Sequence, residues 1–179
     1  DDASSGLNVN RTTMSINEVS VAADYNEETK GFSYTATSLS EGSNTIFVKT
    51  EDNAENSANK SWAFIVDTVG PLGAILINSG DEITHSPYVI LDLAAEDDTT
   101  EVKRVYISTD GVFDDELSQA QEFATQIKDW LVKEPDKDGL KTVYVIFEDS
   151  AGNRSSMYSA SITLKLLTPD TRIVSAPPG

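Results

Sequence analysis

Carboxylates are the chemistry this chain has to offer. Thirty Asp and Glu stand against 13 Lys and Arg, with one histidine and no cysteine. A Ser-His-Asp triad would have to be built on His85, which sits in a loop beside Ser86-Pro87 and reads as a solvated side chain. Zinc sets made of histidine and cysteine are excluded by count. Glu134-Pro135-Asp136-Lys137-Asp138-Gly139 has the look of a calcium loop. With Gly139 at the sixth position, however, the twelfth is Val145 rather than glutamate, so the segment is a strand-connecting turn. Ser108-Thr109-Asp110-Gly111 likewise reads as a hairpin turn rather than a sugar-binding box. A carboxylate pair at glycosidase spacing has no cleft-forming insertion to occupy. The remaining candidates are hard-cation ligands at the ends of apolar segments: Asp67, Glu96-Asp97-Asp98 and Asp149.

The elements that must hold these groups are strands. Ala74–Ile77 is a short apolar run stopped by Ser79-Gly80-Asp81. From Tyr88 to Ala95, Val89, Leu91 and Leu93 alternate against Asp92, the period of a sheet with one face on a core. Arg104–Ser108 is the next strand, and Gln126–Val132 carries Trp130. Thr142–Phe147 is apolar on both faces and hence central, and 156–166 turns Ile162, Leu164 and Leu166 inward. Residues 113–124 fit either a short helix behind Asp114-Asp115 or an irregular edge strand near Phe123. About seven strands with turns every 8–12 residues predict a β-sandwich whose core is Val89, Leu91, Leu93, Val105, Ile107, Val143, Val145, Phe147, Ile162 and Leu164.

The chain contains this pattern twice. Glu41–Asn56 and Asp138–Asn153 align at a fixed offset of 97, the length of a whole small domain. Asp1-Asp2 aligns with Asp97-Asp98, and strands are expected through Asn10–Ile16, Phe32–Thr35, Thr45–Thr50 and Ser61–Val66. Nothing in the first copy corresponds to Pro71–Glu96, so it is expected to lack its first two strands. Thr168–Val174 repeats the opening of a domain. The domains are therefore set at 1–69, 70–168 and 169–179, the last a linker and the first strand of a further repeat. Trp62, Trp130 and Tyr158 are read as core aromatics rather than a sugar-stacking platform.

Acidity is spread over both copies, with 11 acidic and 4 basic residues up to residue 69 and 19 and 9 beyond it. Nucleic acid is excluded as a partner, because phosphate binding needs a basic stripe. No apolar run approaches the roughly 18 residues of a membrane span. Asn10-Arg11-Thr12, Asn59-Lys60-Ser61 and Asn153-Arg154-Ser155 match the short glycosylation pattern.

Thr142–Asn153, ending Asp149-Ser150-Ala151-Gly152-Asn153, resembles the immunoglobulin-like (fibronectin type III-like) repeats of large bacterial and archaeal surface proteins. So do Trp130 before Asp138-Gly139, Ser5-Gly6 after the first loop, and Asp67-Thr68 followed by Pro71. The resemblance implies an all-β chain of tandem immunoglobulin-like sandwiches, the first truncated. It implies a non-enzymatic structural or adhesive module, a stalk or filament spacer, outside the cell. A carbohydrate-binding or accessory module of a secreted glycosidase is the alternative. Implied partners are neighbouring repeats, other copies by strand addition, or surface glycans. One departure stands out: Glu55 replaces the turn glycine found at Gly152, which puts a left-handed residue there in question. In such a sandwich the loops carrying Glu96-Asp97-Asp98 and Asp149 lie at the end where the chain comes in behind Asp67. That convergence is the expected calcium site.

Overall fold

The computed structural model describes residues 5–113 and 119–167. It divides into two compact units, Asp1–Thr68 and Val69–Gly179. The tail strand expected at Arg172–Val174 and the opening Asp1-Asp2 lie outside the described residues.

The first unit contains β1 (Leu7–Ile16), β2 (Val19–Val21), β3 (Asp24–Asn26), β4 (Gly31–Ser33), β5 (Gly42–Asp52) and β6 (Ser57–Val66). Four of them form an antiparallel sheet in the order β2-β1-β5-β6, and β3 and β4 form a separate hairpin. β2 and β3 were not expected from the sequence. Asn17 and Glu18, with φ of 50° and 67°, turn β1 into β2 without a glycine. The Asn17 carboxamide holds that turn, donating to Asn44 Oδ1 at 2.8 Å and accepting from the Thr45 amide at 2.8 Å.

The second unit contains β7 (Leu72–Ile77), β8 (Ile83–Thr84), β9 (Tyr88–Glu96), β10 (Val102–Ser108), β11 (Gln119–Glu122), β12 (Gln126–Leu131), β13 (Gly139–Asp149) and β14 (Tyr158–Leu164). They form two sheets, β12-β9-β7 and β11-β10-β13-β14-β8. The smaller sheet joins first, second and fifth strands, and the larger joins third, fourth, sixth and seventh. That interleaving is the strand order of an immunoglobulin-like sandwich. β8 is an addition to the seven expected strands, pairing parallel with β14 through Thr163↔Ile83 and Leu164↔Thr84.

The expected core forms. Val89, Leu91, Leu93, Val105, Ile107, Val143, Val145, Phe147, Ile162 and Leu164 are all buried, joined by Ile75, Ile77 and Val132. Gly73 makes room at its edge, since a side chain there would overlap the Phe147 ring. Two details differ from expectation. β13 is buried on one face only; Thr142, Tyr144, Ile146 and Glu148 are half-exposed. Leu166 is half-buried and lies past the end of β14. Of the ambiguous stretch, Gln119–Glu122 is an edge strand on β10, while 114–118 lie outside the described residues. Phe123 reaches the core and meets Phe147 edge-on at 5.8 Å, directly after the edge strand.

Candidate metal site in the second unit

Two sheet registers bring acidic loops to one end of the second sandwich. Leu72 opens β7 opposite Glu96, the last residue of β9. Val102 opens β10 opposite Asp149, the last residue of β13. The loop of residues 97–101 spans the two sheets at that end. Gly70 lies against the Arg154 carbonyl just beyond Asp149, where any side chain would collide with it.

Asp149 is 1% exposed. One carboxylate oxygen accepts the Asn153 amide N–H at 2.9 Å, and the other accepts the Asn153 side chain at 2.9 Å. Burial alone would raise its pKa. The hydrogen bonds from the Asn153 side chain and from the amides of Asn153, Gly152 and Ala151 outweigh that and hold it below the ordinary value. Asp97 is half-buried and closes its own loop, with Oδ1 accepting the amides of Thr99 at 2.9 Å and Thr100 at 3.0 Å. An oxygen of Asp97 and one of Asp149 lie within 4.8 Å of each other. Glu96 and Asp98 are exposed and do not join them. Asp67 belongs to the first unit, half-buried just after β6. Glu148 faces the other way along β13. Burial would raise its pKa, but Arg154 (3.0 Å), Tyr106 (2.9 Å) and Arg104 (3.4 Å) hold it low, so its charge is already answered.

The first unit builds the same turn. Asp52 accepts the amides of Ala54 and Asn56 at 2.8 Å, the Asn56 side chain at 2.7 Å and the Ser5 hydroxyl at 2.8 Å. Glu55 is left-handed there, with φ of 69°, as Gly152 is in the second copy with φ of 94°. The doubt raised by the missing glycine is therefore corrected: the ring of bonds to Asp52 fixes the conformation whatever the residue. Glu55→Gly is accordingly expected to stabilise the first unit by about 0.5–1 kcal/mol in urea denaturation, since glycine takes positive φ without strain. A loss of stability would mean that the Arg11–Glu55 ion pair at 3.1 Å outweighs the strain.

The remaining candidates find ordinary roles. His85 Nδ1 meets the Lys165 carbonyl at 2.7 Å in an exposed loop. Ser108 and Asp110 close their hairpin turn through hydrogen bonds to its amides. The Asn153 carboxamide of one glycosylation match is engaged with Asp149. Trp130 and Tyr158 pack against the core, as expected. Trp62 does not: it is 44% exposed, because nothing described in the first unit covers the sheet face that carries it. No helix among the described residues is long and apolar enough to cross a membrane.

No family model matches the chain, and no curated protein matches it in sequence. Among solved structures, it is similar to the fibronectin(III)-like modules of Clostridium thermocellum CbhA, at 13% identity over 93% of this chain and 82% of that one, with a TM-score of 0.47. It is also similar to a tetra-tandem repeat from the extending region of a large adhesion protein, at 13% identity, 84% of this chain and 41% of that one, with a TM-score of 0.35.

Proposed function

We propose that this chain is a non-enzymatic repeat module that serves as a spacer or adhesive stalk in an extracellular surface protein. The observation that supports this is the path of the chain through the second sandwich. It comes in at the Asp149 end of β13, and β14 leaves at the other end, with Leu164 opposite Gly139. Opposite entrance and exit suit modules joined in series. The parallel β8–β14 pair adds resistance, because tension along the chain shears its hydrogen bonds together rather than one by one. The test is force spectroscopy on the chain held at its ends. A spacer gives a discrete rupture that releases roughly 300 Å of chain for the second unit; smooth extension without rupture overturns the reading.

Calcium is the cofactor proposed for the second unit, with Asp97 and Asp149 as carboxylate ligands and loop carbonyls supplying further oxygens. Binding only the folded state should raise the melting temperature of that unit by about 4–8 °C for each kcal/mol of linkage, reversibly with chelator. Asp97→Asn should abolish the rise. Identical calorimetric traces with calcium and with chelator would remove calcium from the proposal.

A further inference from the structure

The first unit has a sheet without a core. Among its described residues the buried side chains are Asn44 and Asp52, both polar. Its sheet nevertheless has an apolar face. The register puts Met14 beside Val48 and Ile16 beside Ile46. Ile46 in turn faces Trp62, and Asn44 faces Phe64. Directly paired residues share a face, so Met14, Ile16, Ile46, Val48, Trp62 and Phe64 form one continuous surface. Val19 extends it from β2, paired with Ile16 and 67% exposed.

The second unit shows what such a face is for. The 97-residue offset carries Ile46 and Val48 onto Val143 and Val145, which are 1% and 0% exposed beneath the β12-β9-β7 sheet. The order β2-β1-β5-β6 reproduces β11-β10-β13-β14 strand for strand. What the first unit lacks among its described residues is a counterpart of β7 and β9. One trace of that lack is visible in β4. At the same offset it falls on residues 128–130 of β12, a strand that pairs with β9 on either side of a bulge, whereas β4 pairs with the local strand β3.

We infer that the apolar face of the β2-β1-β5-β6 sheet takes up a two-stranded antiparallel segment of the β7 and β9 type, supplied by the same polypeptide ahead of Asp1. Alternating apolar residues on that segment would meet Ile46, Val48 and Trp62 as Val89, Leu91 and Leu93 meet the second unit's larger sheet. A second copy of the chain fits the face less well. The first unit carries 11 acidic against 4 basic residues up to residue 69, so two such faces approach against mutual repulsion. This inference concerns the first unit alone and stands apart from the force test on the second.

The experiment grafts a duplicate of residues 69–96 directly before Asp1, following the match of Asp1-Asp2 to Asp97-Asp98. Trp130→Phe leaves Trp62 as the sole tryptophan. The graft is expected to shift Trp62 emission to the blue and to lower its acrylamide quenching about threefold as the indole is buried. A control graft carries Val89→Asp, Leu91→Asp and Leu93→Asp in the duplicated segment only and should leave Trp62 exposed. Binding of a hydrophobic dye to the chain with Trp130 retained gives a second readout, falling with the apolar graft and not with the control. Equal quenching in all three proteins overturns the inference, as does equal protection by both grafts. Concentration-dependent protection of Trp62 in the ungrafted chain, with dimer in sedimentation, assigns the face to a second copy and overturns it too.

Discussion

Leu91→Ala is expected to lower the stability of the second unit by about 2–5 kcal/mol, read as a shift of its urea midpoint with unchanged slope. Leu91 is fully buried at the centre of the smaller sheet, opposite Ile77 on one side and Ile127 on the other. Its truncation opens a cavity between two sheets that are each held by hydrogen bonds and cannot collapse to fill it. For a unit of this size the melting temperature should fall by about 4–8 °C per kcal/mol. Val145→Ala, in the facing sheet, should cost less because fewer atoms are removed. A Leu91→Ala protein that melts with the wild type would mean that the sandwich register is wrong.

Asp149→Asn is expected to cost the second unit about 3 kcal/mol at neutral pH. The carboxylate oxygens accept hydrogen bonds from the amides and side chain of the 150–153 turn. An amide offers one acceptor oxygen and turns its NH2 group toward the remaining donors. The pH dependence is a separate check. The folded pKa of Asp149 lies below its ordinary value, so its contribution is fully present above the unfolded pKa of about 3.9 and is lost as pH falls through the folded value. The stability gap between wild type and variant should therefore be widest near neutrality and close in strong acid. A gap independent of pH would show that the loss comes from packing and not from the charge.

Glu148 sits one residue away and has a different logic. Its charge is answered by Arg154 and Arg104, and Arg154 also stacks over the Tyr106 ring at 4.2 Å. Asp149 is instead served by the Asn153 carboxamide and by backbone amides, and no substitution of a neighbouring side chain removes the latter. The turn of Asp52 repeats this device in the first unit. A buried aspartate closing the turn after the penultimate strand is thus a structural part of the repeat. Calcium, if it binds, adds to a carboxylate that already has a role.

The strands and core face of the second unit were legible in the sequence because alternation is a local signal. Val89, Leu91 and Leu93 could face a core only together, and a shift of one residue would have turned all three to water. The repeat likewise carries the equivalence of Asp52 and Asp149. Other features depend on distant partners. β8 carries two residues and exists because β14 offers a free edge. Glu55 is left-handed because Asp52 gathers the amides around it, a constraint stronger than the preference of the residue itself. Asp97 approaches Asp149 while Glu96 and Asp98 do not, since the pleat and the turn of the loop select one carboxylate from the three. Trp62 is the plainest case. Its spacing in β6 marks a core position as clearly as that of Ile162 in β14, yet one is exposed and the other buried. Alternation decides which face of a strand is apolar; only the tertiary structure decides whether another sheet lies against that face to exclude water.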